Sequence, residues 1–159
     1  MNAEPLLLDA ARIAALIPHS GSMCLLDGLL AWDRATIACR ASNHRHLDHP
    51  LRSRRGLLVT STIEYAAQAM ALHGALIGQE AGSAASPGFL ASARGVRFHA
   101  LRLDDLPLPE SPWADSLRIE ARRQAGDARQ LLYAFTVHHA GRPLAEGRLT
   151  VVLNTALAA

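Results

Sequence analysis

The sequence of 159 residues contains no lysine, so all 16 of its basic residues are arginine. Aromatic residues make up only 4 %, and a core must therefore be filled by Leu, Ala, Val and Ile. The formal net charge of +2 is too small to indicate nucleic-acid binding unless the arginines cluster. Half of the residues are hydrophobic and 19 % are charged, a balance that argues against intrinsic disorder.

The two cysteines, Cys24 and Cys39, are too few for a disulfide framework, and we expect both to be reduced. No apolar run reaches the ~20 residues that a membrane-spanning helix needs. The first residues lack the basic region of a secretory signal peptide and carry Glu4 and Asp9 instead. The sequence therefore predicts a cytoplasmic protein that folds as a single domain over residues 1–159 and does not enter a membrane.

One strong helix stands between two groups of strands in the predicted order of elements. A short helix is predicted over residues 9–16, and the main helix over 61–77, where the chain is alanine-rich and apolar nearly all round. Such a helix is buried rather than lying on a surface. An antiparallel sheet of about five to six strands around one helix is an α+β arrangement, and no phosphate-binding glycine motif is present. The strands are predicted over residues 23–30, 36–41, 88–100, 115–124, 130–140 and 144–153.

Glu64 is the one carboxylate within the predicted buried helix. A carboxylate on an apolar helix is costly unless something stabilises it, which makes Glu64 a candidate general acid. Gln68 lies one turn later on the same face and can orient Glu64 or a ligand. A second interpretation is a helix capping box, because Ser61 and Glu64 form the pattern S-x-x-E. The two roles are compatible, since N–H groups near Ser61 at the helix start can also hold a developing oxyanion.

Three of the eight histidines lie together in the string H-R-H-L-D-H, residues 44–49. This string matches H-x-H-x-D-H, the metal motif of metallo-β-lactamase-like hydrolases, and these side chains are suitable zinc ligands. The chain is short for that fold, and Pro50 follows the motif where glycines are usual. A zinc hydrolase is therefore a remote alternative, beside a solvated loop with incidental histidines. We favour one of these histidines as a general base.

Three segments match one family pattern in both order and spacing. Residues 17–27 read I-P-H-S-G-S-M-C-L-L-D, residues 64–69 read E-Y-A-A-Q-A, and residues 88–98 end in Arg97-Phe98 before Asp115-Ser116-Leu117. Together they resemble the opening segment, the E-x-x-A-Q helix and the later strands of the hotdog-fold 3-hydroxyacyl-acyl-carrier-protein dehydratases. The nearest resemblance is to the divergent branch linked to aryl polyene pigment synthesis.

The resemblance implies a hotdog fold, a long central helix wrapped by an antiparallel sheet, and a homodimer or a heterodimer with another hotdog subunit. It implies dehydration of a 3-hydroxyacyl thioester on acyl carrier protein, without metal or cofactor. Glu64 matches the family's acid, and His49 is nearest in position to its catalytic histidine, which is expected to meet the acid across the dimer interface. Val59 and Thr60 replace the family's P-G dipeptide before the helix, so His19 and His44 stay open as alternatives.

The predicted site thus has Glu64, His49 and His19 as catalytic candidates. Its substrate-binding candidates are Gln68, His44 and Ser61. An arginine cluster nearby is either a docking surface for an acidic carrier protein or a solvated loop, and it lacks the interleaved aromatics of a nucleic-acid site. A thioesterase that uses Glu64 to activate water, and a non-catalytic hotdog subunit that pairs with an active partner, are the alternative functions. The arginine cluster consists of Arg52, Arg54 and Arg55.

Overall fold

The computed structural model describes residues 3–83 and 88–153 and shows one long helix packed on one sheet. The helices are α1 (Ala10–Ala14) and α2 (Thr62–Glu80). None of the helices in the described part of the chain is long and apolar enough to cross a membrane. The strands are β1 (Leu8–Asp9), β2 (Gly28–Trp32), β3 (Thr36–Ala41), β4 (Gly88–Phe98), β5 (Leu117–Gly126), β6 (Gln130–His139) and β7 (Arg142–Leu153).

The strands form a single antiparallel sheet in the order β1-β2-β3-β5-β6-β7-β4. The predicted α+β class, with one long helix wrapped by an antiparallel sheet, is confirmed. Seven strands are present rather than five to six. The additional strand is β1, whose two residues pair with β2 and are too few to leave a periodic pattern in the sequence.

The core lies between α2 and one face of the sheet. Tyr65 and Leu72 of α2 belong to one buried cluster with Ile119 of β5 and Phe135 of β6. Side chains alternate along β6, with every second residue buried from Tyr133 onward. The sheet therefore has an inner face, which packs on α2, and an outer face, which we define as the opposite side.

The apolar run predicted as a strand over residues 23–30 becomes a strand only from Gly28. Residues 21–23 form a 3₁₀ turn, and Leu25 and Leu26 are buried without pairing into the sheet. The Asp27 carboxylate fixes this segment against β3, because it accepts hydrogen bonds from Arg40 Nε and the Ser42 amide, both at 2.7 Å. The run is apolar because it is buried in the core, and a short apolar run does not by itself identify a strand.

The start of α2 corrects the capping-box interpretation. Ser61 has helical backbone angles and makes no side-chain capping hydrogen bond. Residues 59–61 form a 3₁₀ turn that leads directly into the helix, and the Ser61 N–H donates to the Leu58 carbonyl at 3.0 Å. The Thr62 hydroxyl donates to the Val59 carbonyl at 2.6 Å. Since the Leu58 carbonyl already accepts from the Ser61 N–H, Glu64 is not needed to bond back to that N–H.

His73 connects the middle of α2 to two parts of the sheet. Its Nε2 lies 2.7 Å from the Asp33 carbonyl, which can only accept, so Nε2 carries the proton. Its Nδ1 then accepts from the Tyr133 hydroxyl at 2.7 Å, and Arg123 donates to the same hydroxyl oxygen at 3.1 Å. Burial lowers the pKa of His73 below its ordinary value. A neutral histidine with a hydrogen bond at each ring nitrogen therefore holds the hairpin between β2 and β3 against the helix.

We expect the free energy of unfolding to fall as the pH drops below about 6.5. The pKa of His73 is lower in the folded chain than in the unfolded chain, so unfolding takes up a proton in this window. The contribution of His73 to the free energy of unfolding is fully present above the pKa that this histidine has in the unfolded chain. Below that pKa it is lost at up to about 1.4 kcal/mol per pH unit for one such histidine. Burial also lowers the pKa of His44 and His49, which adds to the loss. Urea denaturation across this range measures the slope.

The variant His73→Gln should show a shallower dependence on pH than the wild type, because it removes one of these titrations. The matched control is His46→Gln, at an exposed histidine, which should leave the slope unchanged. Equal slopes for the wild type and His73→Gln would contradict the assignment of a neutral His73.

Candidate active site at the start of α2

Glu64 and His19 meet at the amino-terminal end of α2. His19 Nε2 lies 3.2 Å from Glu64 Oε1. The side chains are 26 % and 32 % exposed, so a molecule in solution can reach both. His19 comes from the segment between α1 and β2, and Glu64 from the first turn of α2. The structure thus joins the two sequence motifs that carry these residues, and it does so within one chain.

Gln68 fixes this pair from the buried side. Its Nε2 donates to Glu64 Oε1 at 3.0 Å and to the Met23 carbonyl at 2.7 Å. Its Oε1 accepts from the Leu25 N–H at 2.8 Å. Because both ends of the amide are bound, its orientation is defined, and the segment that carries His19 is tied to α2.

The two oxygens of the Glu64 carboxylate differ in their surroundings. Both the Gln68 amide and the His19 ring face Oε1. Within residues 3–83 and 88–153, Oε2 makes no hydrogen bond or ion pair. A carboxylate oxygen left open beside an imidazole is an arrangement suited to exchanging a proton with a bound molecule.

His49 has a different set of partners. Its Nδ1 accepts from the Leu51 N–H at 3.1 Å, so its Nε2 carries the proton and donates to the Tyr65 hydroxyl at 2.8 Å. The Tyr65 hydroxyl in turn donates to Asn43 Oδ1 at 2.6 Å. His49 is only 5 % exposed, and burial lowers its pKa. Both ring nitrogens are occupied, and neither faces Glu64.

His44 lies in a second cluster, built around Asp115. His44 Nε2 and His139 Nε2 lie 3.1 and 2.8 Å from Asp115 Oδ1. Arg45 donates to both carboxylate oxygens at 2.9 Å, and its guanidinium holds the pKa of Asp115 well below the usual range. The cluster joins the loop over residues 42–49 to the start of β5 and the end of β6. His44 is too deeply buried to meet a substrate in this arrangement.

The H-x-H-x-D-H string does not converge on one point. His46 and Asp48 are exposed, whereas His44 and His49 are buried against different partners. A different group, formed by His44, Asp115 and His139, places its ligand atoms within 4.8 Å of one another. A divalent cation there would compete with the Arg45 guanidinium, which already neutralises Asp115. The donor set fits an ion-pair network better than a metal centre and gives no support to a zinc hydrolase.

The predicted arginine cluster divides into two parts. The Arg52 guanidinium lies 3.0 Å from Asp104, a carboxylate that also binds Arg102 and the Leu57 N–H. Arg54 and Arg55 are exposed at the turn before α2. Arg52 therefore has a structural partner, while the other two remain available to an acidic surface.

Sequence reasoning did not find the hydrogen-bond chain from Asn43 through Tyr65 to His49, or the joint packing of His44 and His139 on Asp115. No spacing signal links these residues along the chain. The long loop after β3 and the register between β5 and β6 bring them together. Only a strand alignment that placed Leu117 opposite His139 would have indicated the Asp115 cluster.

These features define a hotdog-fold protein whose central helix carries an acid in contact with a histidine. A family model described as ApeP-like, ApeP dehydratase, matches residues 11–159. The chain belongs to this ApeP-like dehydratase family. No protein among those with curated descriptions matches it significantly.

Several solved structures share the fold. The dehydratase heterocomplex ApeI:P from Xenorhabdus doucetiae matches with a TM-score of 0.77 and 22 % identity, over 94 % of this chain and 93 % of that chain. A hypothetical thioesterase protein with coenzyme A from Streptococcus pneumoniae TIGR4 matches with a TM-score of 0.53 and 9 % identity, over 91 % and 94 %. AziG from S. sahachiroi matches with a TM-score of 0.55 and 17 % identity, over 87 % and 97 %. At these identities the matches show the fold.

We expect Asp115→Ala to lower the free energy of unfolding by about 3–5 kcal/mol, because it leaves Arg45 and two buried histidines without their shared carboxylate. Urea denaturation at neutral pH measures the loss. The matched control is Asp48→Ala, an exposed carboxylate in the same loop, for which we expect a change within about 0.5 kcal/mol. A loss below about 1 kcal/mol for Asp115→Ala would show that the network is not needed for folding.

Proposed function

We propose that this chain dehydrates a 3-hydroxyacyl thioester carried on acyl carrier protein to the 2-enoyl thioester. Membership in a dehydratase family supports the class of reaction. The contact between His19 and Glu64 carries the proposal. Dehydration removes a proton from one carbon and a hydroxyl from the next, so it needs a base and an acid a few ångströms apart.

The proposed reaction begins with Glu64 protonated on Oε2. His19 takes the α-proton on Nε2, because its Nδ1 is buried. The electron pair of the broken C–H bond forms the double bond, and the bond from the β-carbon to oxygen breaks as Glu64 protonates the leaving hydroxyl. Water departs, His19 releases the α-proton to solvent, and Glu64 takes up a proton from solvent at its open oxygen Oε2, so both groups return to their starting states. Gln68 holds Oε1 throughout, so that Oε2 is presented to the substrate. Apart from proton exchange with solvent, these steps use only side chains of this protein.

The other predicted site residues take no chemical step in this proposal. His49 positions α2 through Tyr65, because both of its ring nitrogens are already bound. A substrate oxyanion at Ser61 would compete with the Leu58 carbonyl for the Ser61 N–H. Arg54 and Arg55 are exposed and can attract an acidic carrier protein to the end of α2 where the site lies.

We expect Glu64→Gln and His19→Ala each to lower kcat for dehydration by about 10²–10⁴-fold, the usual contribution of a general acid or base. The measurement is mass spectrometry of a carrier-bound 3-hydroxyacyl substrate, which loses the mass of water. His46→Ala, at an exposed histidine, is the matched control and should keep wild-type activity. His49→Ala should lower thermal stability along with activity, whereas His19→Ala should lower activity alone.

Two outcomes would overturn the proposal. Full activity of His19→Ala with loss of activity in a stably folded His49→Ala would make His49 the base. Release of free thiol from the thioester, without loss of water, would identify a thioesterase in which Glu64 activates water.

We also propose that a second hotdog chain pairs along β4. This strand has 11 residues and lies at the edge of the sheet, where its outward backbone groups have no strand partner among the described residues. Leu90 and Phe98 face the inner side yet remain 43 % and 38 % exposed. A long edge strand with exposed apolar residues invites pairing with another chain. The structural match to a dehydratase heterocomplex supports a partner of the same fold.

We expect the double variant Leu90→Lys/Phe98→Lys to weaken association by at least about tenfold, because it places charges where apolar surface is to be buried. Sedimentation velocity measures association of the chain alone and with a co-expressed hotdog partner. The matched control is Leu7→Lys, an exposed leucine near β1 at the opposite edge. A monomer that dehydrates the substrate alone would contradict the pairing. Activity that appears only with the partner, and survives Glu64→Gln in this chain, would make this chain a non-catalytic subunit.

A further inference from the structure

The outer face of the sheet carries three arginines in one line, which we name the arginine row. Arg122 on β5 pairs in register with Ala134 on β6, and Ala134 pairs with Arg148 on β7. Arg148 in turn pairs with Arg94 on β4. Cross-strand partners point to the same face, so the three side chains leave the sheet side by side. All three residues are exposed.

The arginine row has no internal counterpart. Within residues 3–83 and 88–153, none of its members forms an ion pair, whereas Arg45 and Arg118 each bind a carboxylate. Arg94 and Arg148 stand directly opposite each other, and like charges in that position destabilise a sheet. Folding of this chain gives no reason for the row, whereas an acidic partner outside the chain would neutralise it.

The two sides of the arginine row differ. On one side, Glu120 is bound by Arg118 at 2.6 Å, and Glu146 is the register partner of Arg97. On the other side lies a groove of about 640 Å³, which is lined by Arg94 and Arg148, by one carboxylate and otherwise by uncharged residues. The groove presents both hydroxyl and apolar groups, from Ala91, Ser92, Ala125, Leu132, Thr150 and Val152.

One acidic residue also lines the groove. Asp127 lies in the turn between β5 and β6, and its Oδ1 accepts from the Arg129 and Gln130 amides at 2.7 and 3.0 Å. These bonds hold the pKa of Asp127 below its usual value and keep the carboxylate within its own turn. The groove therefore combines two arginines without ion-pair partners in the described chain, a carboxylate held by its own turn, and a lining that is in large part apolar.

We propose that this face binds an acidic amphipathic helix of a partner protein. Neighbouring strands lie about 4.8 Å apart, so Arg94 and Arg148 are separated by about 5 Å and Arg148 and Arg122 by about 10 Å. Carboxylates three or four residues apart on a helix are about 5–6 Å apart, and seven residues rise about 10.5 Å. A helix laid across the strands thus meets the row with acids at positions i, i+4 and i+11, and places apolar side chains in the groove.

The test uses a fluorescent synthetic helix of about 18 residues with glutamates at i, i+4 and i+11 and leucines on the adjoining face. A scrambled peptide of the same composition is the first control. Fluorescence anisotropy should show binding of the designed helix at least about tenfold tighter than of the scrambled one. The triple variant Arg94→Gln/Arg122→Gln/Arg148→Gln should weaken that binding by about tenfold or more.

A second triple variant removes the same charge elsewhere, at the exposed residues Arg12, Arg34 and Arg142, each changed to Gln. It should change binding by less than about twofold. Equal weakening by both triple variants, or equal binding of the scrambled peptide, would overturn the proposal in favour of non-specific charge attraction. Preferential binding of phosphatidylserine vesicles over the helix would assign the face to a membrane instead. Unchanged thermal unfolding of the variants excludes misfolding as the cause.

Discussion

The burial of α2 inside the sheet is the constraint on which the rest of the structure depends. A helix enclosed on most sides cannot leave polar side chains without partners, because each unsatisfied group costs about 1–3 kcal/mol. The four buried polar residues of α2 each bind a different part of the chain. Thr62 binds the preceding turn, Tyr65 the loop after β3, Gln68 the segment before β2, and His73 the hairpin between β2 and β3. The loops around the helix are therefore held by its polar residues as well as by apolar packing.

The candidate site lies at the start of α2, where the helix is only partly buried. Glu64 is half-buried, and only one of its oxygens is engaged by the described residues. The Gln68 side chain holds Glu64 in place from the buried side, since its amide cannot rotate without breaking its hydrogen bonds to Met23 and Leu25. A rigid support under a partly open carboxylate is what proton transfer requires, because the acid is held in place while one oxygen stays accessible. The buried polar anchors and the candidate site thus lie on adjacent turns of the same helix.

The sequence was sufficient for the helix, for the presence of six strands although not for the start of β2, and for the pairing of Glu64 with Gln68. These features depend on local periodicity and on the four-residue spacing of a helix. The prediction of a capping box was wrong because Ser61 belongs to the 3₁₀ turn over Val59–Ser61 and makes no side-chain capping hydrogen bond. The choice among His19, His44 and His49 could not be made from spacing. It depends on the path of two loops and on the register of β5 and β6, which join residues far apart in the chain.

The two faces of the sheet are under different physical demands. The inner face must match α2 in shape and polarity, which leaves little freedom in its residues. The outer face has no helix to match and needs only to be hydrated. Charges of alternating sign meet this requirement with less repulsion than three arginines in one line. A line of like charges destabilises the sheet that carries it, because the charges repel one another. Binding of an acidic partner would offset this repulsion. Because α2 packs on the inner face, a helix bound across the outer face would lie on the side of the sheet opposite Glu64.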